Sequence, residues 1–266
     1  MKKQKNQSYI YDESYWAIIS KNDILDKNAN IKKICIKYLL REITPLGLNH
    51  GMFSVKYLIE NCNYKEYSGR TNIKHSFIEI LNMMIENDEL FLDTGYEFPC
   101  NNVKHGIAFI INLDKMFNGN DGFVKLTKSE FDILIRNNSK YNRESMLHVY
   151  LYIKSFNFGG SKCNGYAGFC HSINIISENT GISKRVVVDI LQDLTDMNLL
   201  RKYVVGSVKF VDAVGNHIRN VPNIYIPNTN QKDEVLDEIV AITVDKLKEH
   251  YHVKEFLPFL KYEPEV

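Results

Sequence analysis

Between Ser172 and Pro227 the apolar residues change period twice. Ile173, Ile175 and Ile176 follow Ser172 and stop at Gly181, the pattern of a short helix with a serine N-cap and a glycine end. Ser183 reopens the chain, and Val186, Ile190, Leu194 and Met197 recur at helical spacing, widened by Val187 and Leu191. After Asn198 the period shortens. Leu199 to Phe210 is rich in Val, Leu and Tyr, and a second apolar run, Val221 to Ile226, follows Gly215 and Asn216. A short helix, a tight turn, a longer helix and a hairpin predict a helix-turn-helix with a wing.

The first half predicts the same order. Ile31 to Ile43 is amphipathic, with Ile31, Ile34, Cys35, Tyr38 and Leu39 on one face, and it ends at Pro45 and Gly47. Ser54 caps a second helix carrying Val55, Leu58 and Ile59. The polar turn NYKEYSGRTN leads to a third helix with Ile73, Phe77, Leu81, Met84 and Ile85 inside. LFLD, a turn-rich loop from Thr94 to Lys104 and a strand from Ile107 to Leu113 complete this half. The fold class expected is α+β, mainly helical: two tandem winged helix-turn-helix domains, 31–117 and 123–227, plus a C-terminal helix within 232–262. Residues 1–30 form an arm and a docking segment, and Asn118 to Gly122 (NGNDG) mark the domain boundary. FVKLTKSEFDILI opens the second domain, a helix from Asn142 to Phe156 follows, and Phe158 to Cys170 is a Gly-rich loop or short hairpin. The last helix, Glu234 to His250, carries Leu236, Ile239, Val240, Ile242, Val244 and Leu247. So apolar a terminal helix needs a covering surface. It folds back on the body or makes a homodimer with a second copy, the second being the favoured expectation.

Charge narrows the functional classes. Lys and Arg total 33 against 32 acids, a net charge of +1, so any nucleic-acid contact must be local. Residues 231–266 hold five Lys against nine Asp and Glu, which is −4 and leaves 1–230 at +5. Five cysteines at irregular spacing and no secretory leader fit a cytoplasmic protein. No apolar run approaches the roughly 20 residues that cross a bilayer, so no membrane partner is expected. Nucleotide-binding and hydrolase motifs (G-x-x-x-x-G-K-[ST], G-x-G-x-x-G, H-E-x-x-H, G-x-S-x-G) are missing, so neither an enzyme nor a cofactor is expected. Cys163, Cys170, His171, His148 and His217 lack the paired spacing of a zinc site, and no metal is expected.

Chemistry concentrates on one helix face. From Ser183, the residues Arg185, Val188, Asp189 and Gln192 lie opposite the apolar side, with Lys184 at its edge. Arg pairs with guanine, Gln with adenine, and Asp accepts from cytosine, so this face suits base edges in a major groove. Asp189, Asp193 and Asp196 make its far end acidic, which leaves a solvated face as the alternative. The wing offers Lys209, His217, Arg219 and Asn220 for backbone or minor-groove contact. In the first domain Arg70, Thr71, Asn72, Lys74 and His75 open the equivalent helix, for DNA contact, dimerisation or a protein partner.

At FVKLTKSEF, RESMLHVYLYIKSFN and SINIISENTGISKRVVVDILQDLTDMNLLRKY, the second half resembles the winged-helix domain of plasmid replication initiators and phage replisome organisers from low-GC bacteria. Gly181, Ile182, Ser183 and Lys184, then Leu199, Leu200 and Arg201, stand where that family carries its helix start and its leucines with a basic residue. The resemblance covers about residues 123–226, and the tandem arrangement is also similar to two-domain iteron-binding initiators. It implies sequence-specific binding of double-stranded DNA at origin repeats, with replication proteins as partners. A transcriptional repressor with the same contacts, and a winged-helix adaptor that binds protein, are the alternatives.

Overall fold

The computed structural model describes residues 16–44, 48–64, 67–68, 71–92, 106–116, 122–136, 142–157, 168–212, 215–228 and 233–258. Over these residues the fold is mixed α+β and mainly helical, with small antiparallel sheets. No helix among them is long and apolar enough to cross a membrane. The expected arm (residues 1–9), the NGNDG boundary up to Asp121, the greater part of the loop after Phe158, Cys163 and Arg70 lie outside the described residues.

Local side-chain chemistry starts most helices. β1 (Trp16–Ser20) runs directly into α1 (Lys21–Leu25), whose first turn is capped by the Ser20 hydroxyl accepting from the Asn22 amide at 3.2 Å. α2 (Ile31–Glu42) follows, then β2 (His50–Phe53), a strand that the sequence pattern did not announce. Ser54 accepts from the Tyr57 amide at 3.1 Å and opens α3 (Val55–Asn61). Within the polar turn, β3 (Tyr67–Ser68) pairs with β4 (Thr71–Asn72). Thr71 and Asn72 therefore belong to a small clip before α4 (Ile73–Glu86), and not to the helix on which they were expected. β5 (Leu90–Leu92) and β6 (Ile107–Ile111) come next. The strand expected to reach Leu113 stops at Ile111, because the Asn112 side chain accepts from the Lys115 amide and turns the chain into α5 (Leu113–Met116).

β7 (Phe123–Thr127) pairs with β1 and ends in a reciprocal capping box. Thr127 Oγ1 accepts from the Glu130 amide, and Glu130 Oε2 accepts from the Thr127 amide at 2.8 Å, which starts α6 (Lys128–Arg136). α7 (Arg143–Asn157), α8 (Ile173–Thr180) and α9 (Lys184–Asp196) are the long helices of the second half. The first strand expected after α9 is split into β8 (Leu200–Tyr203) and β9 (Ser207–Asp212); β10 (Gly215–Asn220) stands where a loop was expected, and β11 (Ile224–Pro227) falls on the second apolar run. The breaks face each other, with the Val221 amide donating to the Gly206 carbonyl at 2.9 Å. β8 pairs with β11, and β9 with β10. α10 (Asp233–Tyr251) closes the series.

Two compact units divide the chain: Met1–Ile19, Cys35–Phe117 and Lys125–Asn137 form the first; Ser20–Ile34, Asn118–Val124 and Asn138–Val266 form the second. The expected boundary at Asn118–Gly122 was a single cut, whereas these units exchange segments. α6 belongs to the first unit because Phe131 stacks on Tyr38 with ring centroids 4.0 Å apart, Lys128 pairs with Glu42, and Asn63 donates to the Ile135 carbonyl. α1 belongs to the second, where His148 bonds the Ile24 carbonyl at 3.0 Å.

Each unit repeats one order. In the first, Cys35–Glu42 of α2, β2, α3, α4, β5 and β6 form a three-stranded sheet in the order β2-β6-β5. In the second, α7, a single bridging residue (Phe169), α8, α9, β8 and β11 do the same, with Phe169 pairing Tyr225 of β11 in both directions. Phe53, Phe77, Leu81 and Phe109 lie in the first core; Tyr150, Val187, Ile190 and Leu194 lie in the second.

α10 finds its covering surface inside its own unit. Leu236 and Leu247 join Cys170, Val208, Val221, Ile224 and Ile226 in one buried cluster, with Ile239, Val240 and Val244 against it. Burying each leucine stabilises the unit by about 1.5–3 kcal/mol. Covering this stripe requires no second copy, contrary to the favoured expectation. The following segment returns to the hairpin, where Leu257 and Ser207 exchange two backbone hydrogen bonds of 2.8 and 2.9 Å.

Candidate functional site

α8 and α9 form a fixed corner. Ser172 Oγ accepts from the Ile175 amide, and Gly181 takes the left-handed conformation (φ 69°) that ends α8. Thr180 ties the turn by donating to the Ile176 carbonyl at 2.7 Å and accepting from the Ile182 amide. Ser183 occupies the N-cap position of α9 but makes no capping bond, so its hydroxyl stays available at the mouth of the helix. Val187, Ile190, Leu191 and Leu194 face the core, and α7 packs against this side.

Lys184, Arg185, Val188 and Gln192 form the exposed side of α9, with Val188 half exposed. No acid stands in the first turn, where the helix dipole is positive; among the described residues neither Lys184 nor Arg185 is engaged by a side-chain partner. The last turns differ. Gln192 donates to Asp196 at 2.8 Å, Asp189 is half-buried, and both Asp189 and Asp193 already have interactions. Positive charge is thus confined to the first turn, while the amide of Gln192 is directed at an acid of its own helix.

The hairpin divides the wing candidates. His217 lies opposite Phe210, Ile218 opposite Lys209, Arg219 opposite Val208 and Asn220 opposite Ser207. Facing residues share a side of the ribbon, so Lys209 and Ile218 are on one side and His217 and Arg219 on the other. Val208 is buried in the core under α10, which sets the Arg219 side toward that helix. Asn220 Oδ1 accepts from the Ser207 hydroxyl at 2.8 Å and serves the ribbon itself.

In the first unit Lys74 and His75 stand at the start of α4, followed on the exposed side by Glu79, Met83 and Glu86. His75 Nε2 lies 3.1 Å from Glu79. The first turn of this helix thus carries one lysine, where that of α9 carries Lys184 and Arg185. Its sheet instead leaves apolar side chains outside: Met52, Phe91 and Ile110 are all more than two-fifths exposed, and Phe91 and Ile110 are cross-strand partners.

His171 stands just before the Ser172 cap of α8. It ends a relay in which Asn179 Nδ2 donates to the Tyr152 hydroxyl at 3.0 Å and that hydroxyl shares a hydrogen bond of 3.1 Å with His171 Nδ1. In the tautomer in which Nδ1 accepts, the ring proton sits on Nε2. Burial holds the imidazole below its ordinary pKa and lifts the Tyr152 hydroxyl to about 12. Phe156 and Phe169 close around the ring. The helix that carries Tyr152 was visible in the sequence; the partner on the far side of the loop was not. Cys170 beside it is buried, with its thiol raised to about 11, and no group of three metal-binding side chains occurs among the described residues. No protein-family model matches this chain, and no curated protein sequence matches it.

Proposed function

We propose that the chain is a sequence-specific double-stranded DNA-binding protein built from two winged helix-turn-helix modules, acting in replication initiation of a plasmid or phage. The observation that carries this is the first turn of α9. Two cations without side-chain partners, a free N-cap hydroxyl and an exposed valine stand on the outer face of the second helix of a tight helix-turn-helix. The order helix, strand, helix, helix, strand, strand, with the last strand in the middle of the sheet, supports the winged reading in both units. Arg185 and Val188 would meet base edges, Lys184 and Ser183 phosphates, and Lys209 the backbone beside the groove. A repressor with the same contacts is the neighbouring reading, separated from an initiator by whether the bound repeats lie at an origin or an operator.

A specific observation favours a different task for the first unit. The glutamates along α4 and the apolar outer side of its sheet suit a protein surface better than phosphates. The second unit is then the DNA reader and the first an adaptor for a replication protein.

The test is an anisotropy titration with DNA from the protein's own gene neighbourhood, at two salt concentrations. Arg185→Ala is expected to weaken binding by about 1–3 kcal/mol, roughly five- to 150-fold, and to relax sequence preference. His75→Ala is expected to leave affinity within about twofold. Binding that ignores salt, or that Arg185→Ala leaves intact, sinks the proposal.

A further inference from the structure

Beside the α8 N-cap, the second unit holds a recess of about 450 Å³ between the base of the hairpin and the end of α10. That volume is within the range of small-molecule sites. Its polar lining consists of Arg219, His171, His250 and Ser172; its walls are Ile175, Pro222, Leu247 and Tyr251. No carboxylate lines it among the described residues.

We propose that this recess binds a small organic phosphate, with the phosphate held by Arg219, His171 and Ser172 and a planar or apolar body lying against Pro222, Leu247 and Tyr251. Three features argue for this ligand class. Arg219 has no hydrogen bond or ion pair among the described residues, and its side of the ribbon is the one turned toward α10. A guanidinium presents a fork of donors that fits phosphate oxygens in pairs. His171 is held by the Asn179–Tyr152 relay at Nδ1, which fixes the ring; Nε2 has no partner among the described residues and is a donor in the tautomer in which Nδ1 accepts. Ser172 spends only a lone pair on its capping bond, so its hydroxyl hydrogen remains to be donated. The lining is therefore a set of donors beside an apolar wall, which favours an anionic head on an uncharged body. The site stands whether or not α9 reads DNA.

Isothermal titration of the full chain with phenyl phosphate and with inorganic phosphate tests it. Phenyl phosphate is expected to saturate one site and to bind about tenfold more tightly than inorganic phosphate, since it also covers the apolar wall. Arg219→Ala is expected to cost about tenfold or more, and His171→Gln about threefold to tenfold. Ile242→Ala, on the exposed side of α10 and outside the recess, is expected to leave phenyl phosphate binding unchanged. Tyr152→Phe is expected to shift the His171 ring nitrogen resonances and to weaken binding severalfold, the mark of a residue that positions another. Arg219 is exposed, so its variant is expected to melt like the wild type. Heats that never saturate, or binding that Arg219→Ala leaves unchanged, overturn the proposal. So does the result that phenyl phosphate fails while a DNA duplex binds in a manner dependent on His171, because these donors would then serve DNA phosphates.

Discussion

Gly206 has φ 125°, and a Cβ there would collide with the Leu257 carbonyl oxygen. Both the backbone conformation and the space demand glycine. Gly206→Ala is expected to cost about 2 kcal/mol or more, seen as a lowered urea midpoint and faster exchange of the Ser207 and Leu257 amides. His148 and His171 give a second residue-scale prediction. Burial keeps both imidazoles below the ordinary 6.5, so the unfolded chain takes up protons first as pH falls. Their stabilisation is full above about pH 6.5 and is lost from there downward until the folded values are passed. Urea midpoints at about pH 7.5 and pH 5.0 should differ, and His148→Leu should narrow the difference while lowering stability at both, since the Ile24 carbonyl loses its donor. The caps at Ser54, Ser172 and Gly181 could be read from the sequence because each acts on amides or carbonyls within one turn. The Tyr152–His171 bond could not, since it joins residues across a loop whose path no local pattern fixes.

Among the elements, α10 couples to the hairpin through a narrow stripe. Leu247 is buried against Cys170, Val221 and their neighbours, whereas Ile242 on the same helix is about two-fifths exposed. Leu247→Ala is therefore expected to cost about 2–5 kcal/mol in thermal or urea unfolding, and Ile242→Ala about 0.5 kcal/mol or less. Thr243 strengthens the same stripe: its hydroxyl accepts from the Gly168 amide at 2.8 Å and donates to the Ile239 carbonyl at 2.7 Å. Helix existence was legible from apolar spacing, and so were both faces of α9. The β9–β10 hairpin was less so. Its candidate residues looked equivalent until the register put Lys209 and Arg219 on opposite sides, and a one-residue difference in pairing would have reversed that assignment. β2 escaped notice because four residues around a glycine carry too short an alternation to stand out.

For the whole molecule, the exchange of segments decides what can fold by itself. A chain cut between Asn118 and Gly122 deprives the first unit of Lys125–Asn137, with the Phe131 stack and the Lys128 ion pair, and the second of Ser20–Ile34, with the carbonyl that His148 bonds. Residues 1–120 and 121–266 made separately are expected to bind a hydrophobic dye and to melt without a cooperative transition. Mixed or co-expressed, they are expected to recover one. Two independent, cooperative melts from the separate halves would refute this. The glycine-rich boundary pointed to a division because its composition is that of a turn, but composition does not tell which side a neighbouring helix packs on.

The exchange also orders events during synthesis. The ribosome releases Ile24 long before His148, and Tyr38 long before Phe131, so neither unit can close around its first segment until about half of the chain has emerged. Such distant pairings raise the contact order and slow folding, and they leave the apolar face of α2 waiting in the open. Newly made chains should therefore depend on holding chaperones until translation has passed α7, a dependence that a rearranged gene joining residues 125–137 directly to the first unit would relieve.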